Sequence, residues 1–412
     1  MNRRVVVTGM GGVTPLGDSW ESIRAALRAG TSRVVVMTDW EKYAGLGSRL
    51  AAAVPSFSAP AHYPRQKMRS MGRVALLATR ATELALADAG LLGDSLLGGG
   101  SVGIAYGSTS GSPPAMEIYA RRVWANQTTR GIAATDYIHF MTHTCAANIA
   151  LFFGITGRVI PTSSACTSGS QGIGYAYESI RFGRQSVMIA GGAEELHVID
   201  AVVFDILYAT STRNEDPTRT PRPFDVDRDG LVVGEGATTL ILEDLEHARA
   251  RGARIHAEIV GFGTNGDGRH ITNPNVDGMS RVMTLALDDA GLPPAAIGYV
   301  NAHGTATKLG DIAESVATNR VFGPALPVSS LKSFFGHTLG ACGAIEAWLS
   351  IAMMHEGWFA QTINLDRVDP QCAPLDYIRE APRPLEVEYV MSNNFAFGGV
   401  NTSLVFRRWT GA

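Results

Sequence analysis

Two hydrophobic rhythms alternate along the chain. Short runs such as Val5-Val6-Val7, Val102 to Tyr106, Val187 to Ala190 and Ile297 to Asn301 are apolar without alternation. That pattern predicts strands buried on both faces. Between them lie stretches of helical length. Gln171 to Phe182 predicts one helix, and Ile345 to Met354, apolar almost all round, predicts another buried between sheets. Strands alternating with helices predict an α/β protein in which helices cover the faces of a sheet.

The pattern occurs twice, in the same order. A β-branched strand opens each half, Val5 to Thr8 before Gly9 and Ile255 to Val260 before Gly261. A helix then ends in nearly the same words, Ala85-Leu86-Ala87-Asp88-Ala89-Gly90-Leu91 and Ala286-Leu287-Asp288-Asp289-Ala290-Gly291-Leu292. Glycine after an amphipathic run is a helix C-cap. A small-residue turn next feeds a helix, at 164–169 and again at 336–341, and a closing strand follows, Gly236 to Leu242 and Gly399 to Val405. The expectation is two similar α/β halves, residues 1–252 and 253–412. Equivalent turns of a duplicated fold face each other across a pseudo-twofold axis. Cys166 and His337 lie in those turns and are expected to meet.

Composition narrows the class. The 412 residues suit two domain-sized units, and 45% hydrophobic with 18% charged residues describes a well-buried globular protein. A net charge of −3 gives no global reason to bind nucleic acid or a membrane. The four cysteines, Cys145, Cys166, Cys342 and Cys372, form no C-x-x-C pair and no zinc-ligand spacing, so no metal site is expected and a reducing cytoplasm is. The first residues lack the apolar core of a signal peptide, and no apolar run reaches the ~18 residues of a membrane helix. Gly9-Met10-Gly11-Gly12 follows a strand but has Thr14 where a dinucleotide fingerprint needs its third glycine. It reads instead as a glycine-rich turn packing the first strand.

Cys166 stands between small residues and the start of a predicted helix. Unpaired N–H groups and the helix dipole favour a thiolate there. His303 follows an apolar strand, where open α/β sheets place chemistry. His337 follows Gly336, which allows close approach, and Lys332 follows the apolar Val328 to Leu331. One thiol and two imidazoles suit a carbon–carbon bond-forming acyl transfer. The thiolate carries an acyl group, a second substrate loses CO2, and neutral imidazole N–H donors hold the enolate-like charge. The amides of Cys166 and of the 393–399 loop are candidate donors for a second oxyanion.

These residues carry a resemblance. Ser164-Ala165-Cys166-Thr167-Ser168-Gly169, Asn301-Ala302-His303-Gly304-Thr305-Ala306-Thr307, Lys332 followed by Gly336-His337, and Asn393-Asn394-Phe395-Ala396-Phe397-Gly398-Gly399 resemble the β-ketoacyl-acyl-carrier-protein synthases of the elongating synthase I/II branch. The match runs from Arg4 to Phe406. The resemblance implies a thiolase-like fold, two duplicated halves in a five-layer α-β-α-β-α sandwich, and normally a homodimer, with a heterodimer as the alternative. It implies Cys166 as nucleophile, His303 and His337 as supports of decarboxylation, and Lys332 as the charge that orders the site, interacting with Glu346. Thr305 and Thr307 would bond the phosphopantetheine arm delivered on the acyl carrier protein, so the enzyme binds no cofactor of its own. Phe395 and Phe397 belong to the gating loop, and Phe204 lies near the acyl pocket. Arg65, Lys67, Arg69 and Arg73 would dock the acidic carrier.

Six positions depart from the family pattern. Lys308 replaces a usual proline, Phe334-Phe335 replace smaller or sulfur-bearing residues, and Ser110 falls where a bulky aliphatic gates the acyl channel. Tyr208 lies near a usual carrier-contacting arginine, and Ala396 replaces a glycine of the gating loop. A small polar gate with extra rings predicts a rigid, unsaturated or unusually long acyl chain, as in a polyene-type pathway. Two other readings within the superfamily remain: a non-catalytic chain-length partner, which would lack the cysteine, and a thiolase or initiating synthase, which would pair cysteine with histidine and asparagine.

Overall fold

A computed structural model describes residues 2–411. Eleven strands form a continuous mixed sheet in two blocks. In the first block Val5–Val13, Gly236–Asp244, Val187–Glu194, Val102–Gly107 and Val159–Thr162 lie in that order. In the second the order is Ala257–Gly266, Val400–Arg408, Tyr389–Ala396, Ile297–Asn301 and Pro327–Ser329, with Asp376–Tyr377 added at the edge. The sense of pairing also repeats: antiparallel, antiparallel, parallel, parallel in each block. The blocks join where Val5 to Val7 pair antiparallel with Ile259 to Ala257.

Helices make three further layers. Arg73–Asp88 and Thr144–Phe153 cover the outer face of the first block, and Val276–Ala290 with Lys308–Phe322 covers the second. Ser168–Arg181 and Cys342–Glu356 pack on each other and on strands of both blocks. Every residue from Cys342 to Met354 is buried, as an all-round apolar helix in a central layer must be. The duplicated helix ends behave alike: Gly90 has φ +67° and Gly291 φ +66°. Among the described residues no helix is long and apolar enough to cross a membrane.

One expectation is corrected. The run Gly9 to Gly12 is not a turn, because the first strand continues through it to Val13. A Cβ at Gly9 would lie 2.3 Å from the Ala85 carbonyl oxygen, and one at Gly11 would lie 2.6 Å from Leu84 Cβ. The glycines let helix Arg73–Asp88 lie directly on the strand.

Candidate active site

The nucleophile turn is built from small hydroxyl residues. Strand Val159–Thr162 ends, Ala165 takes a left-handed φ of +52°, and helix Ser168–Arg181 begins two residues after Cys166. The Ser168 hydroxyl closes the turn, donating to the Ala165 carbonyl at 2.7 Å and accepting from the Ser164 N–H at 3.0 Å. Cys166 is left 5% exposed at the inner end of a cavity of about 490 Å³.

The second half supplies the imidazoles. Gly336 has φ +67°, and the His337 N–H donates to the Val232 carbonyl at 2.7 Å. The Leu339 N–H donates to His337 Nδ1 at 3.3 Å, so the ring proton sits on Nε2. Nε2 lies 2.9 Å from Cys166 Sγ. The His303 ring stands 5.1 Å from the His337 ring at 90°. Behind His303, Glu314 accepts from the His303 and Gly304 N–H groups, each at 2.7 Å. Cys166 and His337 thus meet as expected, but their equivalence belongs to the turn and not the residue. A 3-10 turn, Leu339–Ala341, separates His337 from its helix, whereas Cys166 precedes its own directly.

Lys332 is fully buried and paired with Glu346, which also accepts from Asn394 Nδ2 at 2.8 Å. Burial works against its charge, but Glu346 wins and holds Lys332 above its ordinary value. Burial, reinforced by that ammonium, holds His303 and His337 well below the usual imidazole range. Both rings are therefore neutral at pH 7 and each offers one N–H. The Cys166 thiol differs from expectation. Burial pushes it up to about 12 against the lowering effects of Lys332 and of the Phe397 and Cys166 amides. Desolvation outweighs the helix end because the sulfur is almost wholly enclosed by protein. Sulfur and both imidazole nitrogens lie within 4.8 Å of one another, which is also metal-ligand reach; a metal would have to displace the thiol proton.

The other expected residues divide. Thr305 and Thr307 line the cavity with their hydroxyls 3.0 Å apart. Phe204 and Phe397 line it as a ring pair 5.2 Å apart, and Phe395 packs against His303 at 6.0 Å. Tyr208, Lys308 and Ala396 are also in its wall. Ser110 is not, although the carbonyl of its neighbour Thr109 accepts from Ser163 Oγ at 3.1 Å. Phe334 and Phe335 are fully buried in the main hydrophobic core and do not line the cavity either. Arg65, Lys67 and Arg69 are exposed. Arg73 is half-buried against Glu235 at 2.8 Å, a pair that ties helix Arg73–Asp88 to the residue before strand Gly236–Asp244 rather than presenting a free charge. Sequence reasoning missed Glu314 and Asp311, the acids that clasp the 303–306 turn from behind. Their signal was two acids on a helix directly after the second threonine.

Comparison with known proteins agrees with this geometry. Residues 2–248 match the family described as "Beta-ketoacyl synthase, N-terminal domain", and residues 256–366 match its C-terminal domain. The 3-oxoacyl-[acyl-carrier-protein] synthase 2 of Vibrio cholerae is 37% identical over 98% of this chain and 99% of its own. A crystal structure of a beta-ketoacyl synthase from Burkholderia phymatum superposes with TM-score 0.98 at 59% identity, covering 99% of this chain and all of that one. A type II PKS acyl-carrier protein in complex with its ketosynthase gives TM-score 0.88 at 31% identity over the full length of both chains. By its duplicated sheet order, its cysteine and paired histidines and this end-to-end similarity, the chain belongs to the β-ketoacyl synthase family.

Proposed function

We propose that the protein is an elongating β-ketoacyl-acyl-carrier-protein synthase, an acyltransferase of a fatty-acid or specialised type II pathway, divided at residue 252/253 into a nucleophile half and a histidine half. The observation that carries this reading is the contact of His337 Nε2 with Cys166 Sγ at 2.9 Å, with a second neutral imidazole at right angles beside it.

In the first step the Cys166 sulfur attacks the acyl thioester and forms a new C–S bond as the bond to the carrier arm breaks, and the Cys166 proton passes to the departing carrier sulfur, which leaves as a thiol. The arm itself arrives on the carrier, with Thr305 and Thr307 as its hydroxyl contacts. In the second step a malonyl thioester loses CO2. The electrons of the broken C–C bond pass into an enolate, whose oxygen accepts from the N–H groups of His303 and His337. The carbanion then attacks the acyl carbon on Cys166. The tetrahedral oxyanion accepts from the Cys166 and Phe397 amides, and collapse expels the sulfur, leaving a chain longer by two carbons. Buried Lys332 keeps both rings neutral, so they remain donors rather than proton carriers.

Exposed Arg65, Lys67 and Arg69 supply the basic surface for an acidic carrier, with charge setting the encounter rate more than the final affinity. A homodimer is supported by strand Val159–Thr162, which among the described residues ends the sheet with an unpaired edge. Four free cysteines support a cytoplasmic location. The presence of Cys166 weighs against a chain-length subunit, and histidines in both motifs weigh against an initiating synthase. Mass spectrometry after incubation with acyl carriers tests the reading: a mass increase on Cys166, discharged by malonyl carrier with release of CO2, is expected. An unmodified Cys166 across the panel would remove it.

A further inference from the structure

Glu194 closes strand Val187–Glu194 with no solvent exposure, one oxygen bonded and the other without a partner. The bonded atom, Oε2, accepts two backbone N–H groups at once, from Thr109 at 3.1 Å and from Gly340 at 2.9 Å. These belong to different halves of the chain. On the first side, Thr109 touches Ser163, three residues before the nucleophile. On the second, Gly340 follows Leu339, whose φ of +47° is a conformation that a side-chain-bearing residue keeps only when its surroundings hold it. Leu339 is also the residue whose N–H bonds His337 Nδ1. Close packing marks the same contact: a Cβ at Gly340 would lie 2.8 Å from Glu194 Oε2.

We propose that Glu194 is a positioning residue for the condensation: by pinning the 338–340 turn to the 107–111 turn, it fixes His337 in the tautomer that presents Nε2–H to the reaction centre. The proposal rests on the reading of the site given above. Glu194 does not line the cavity and acts only through the backbone. A carboxyl group buried away from solvent persists where its hydrogen bonds are needed. Burial, with Asp200 nearby, pushes Glu194 up, and Oε2 accepts both N–H groups whether or not the other oxygen carries a proton. A glutamine can do the same; an alanine cannot, and an aspartate is one methylene short.

The test compares wild type with Glu194→Gln, Glu194→Asp and Glu194→Ala. The readouts are CO2 release from malonyl carrier, with kcat and KM separated, and the imidazole 15N shifts of His337, assigned by their loss in His337→Ala. Glu194→Gln is expected to keep kcat within about threefold, whereas Glu194→Asp and Glu194→Ala lower it by roughly 10²-fold, the cost of a displacement near 1 Å, with KM nearly constant. In those two variants the 15N shifts should move toward mixed tautomers. Wild-type kcat and shifts in Glu194→Ala, or a Glu194→Gln variant as impaired as Glu194→Ala, would overturn the proposal. Should Glu194→Ala not fold, the contrast between Gln and Asp decides it. A wild-type enzyme that releases no CO2 would sink the condensation reading instead, while the 15N shifts still report on the clamp.

Discussion

The turn before helix Ser168–Arg181 and the turn before helix Cys342–Glu356 are one pattern used twice, yet they are held by different forces. Neutral groups tie the first: hydroxyls of Thr167 and Ser168 donate to backbone oxygens, and among the described residues no charged side chain bonds it. Buried carboxyl groups brace the second region, with Glu194 on Gly340, Glu314 behind His303 and Glu346 on Lys332. The difference follows from what each turn must do. A soft nucleophile needs a small, dry place at a strand end. Donors aimed at a developing oxyanion need fixed orientation and a fixed charge state. Lys332 joins the two, because its charge lowers the Cys166 thiol and also keeps His303 and His337 from taking protons.

The largest expected effect separates the turns outright. Cys166→Ala should abolish condensation, since no other group carries the acyl chain. Cys166→Gln should still release CO2 from malonyl carrier, because the amide imitates an acyl-enzyme carbonyl while both imidazoles remain. Radiolabelled CO2 capture measures this, and a complete absence of release would mean that the two turns are not separable in function.

The converse substitutions come next. His303→Ala and His337→Ala should each lower decarboxylation by about 10²–10³-fold, as loss of an oxyanion donor does. Acylation of Cys166, followed by mass spectrometry, should survive in both. Equal loss of acylation and decarboxylation would merge the two regions into one unit.

Much of this division was legible before any coordinates. The doubled helix endings at Gly90 and Gly291 gave the repeat, and the motif around each of Cys166, His303 and His337 gave the reacting groups, because turns and exposed chemistry leave local signatures. The charge state of Cys166 was not legible. Its position before a helix argued for a thiolate, but burial is a tertiary property and it dominates. Glu194 is equally silent, since it acts on backbone N–H groups remote in sequence, whereas Glu314 leaves only the signal of an acid on the helix after Thr307. The strand through Gly9 to Gly12 reads as a turn in sequence because glycine there serves helix packing.

A smaller, graded effect reads the electrostatics of the first turn. Only the thiolate is alkylated, and a thiol held near 12 leaves its thiolate fraction rising throughout the ordinary range. The rate of iodoacetamide modification at Cys166 should therefore climb about tenfold per pH unit through neutral and alkaline pH, without a plateau. A plateau near pH 7 would show that the helix end and Lys332 overcome burial, and would restore to the first turn the charge that is here assigned to the second.

The smallest effect concerns what lies beside the nucleophile turn. Ser110 is off the cavity wall, but it adjoins Thr109, which bonds Ser163. The family resemblance aligns Ser110 with a residue that gates the acyl channel, and a small residue there would leave room for a long chain. Ser110→Phe should then reduce loading of long acyl carriers about tenfold, corresponding to ~1.4 kcal/mol of overpacking, with short acyl carriers unaffected. Running saturated and polyunsaturated carriers in the same panel sharpens the result, because Phe334 and Phe335 lie in the core and cannot favour a rigid chain by contact. Equal loading of long and short chains in the variant would remove Ser110 from the acyl path. Equal use of saturated and polyunsaturated chains by the wild type would remove the case for a specialised substrate, leaving the first turn a general acceptor whose selectivity lies with Phe204 and Phe397.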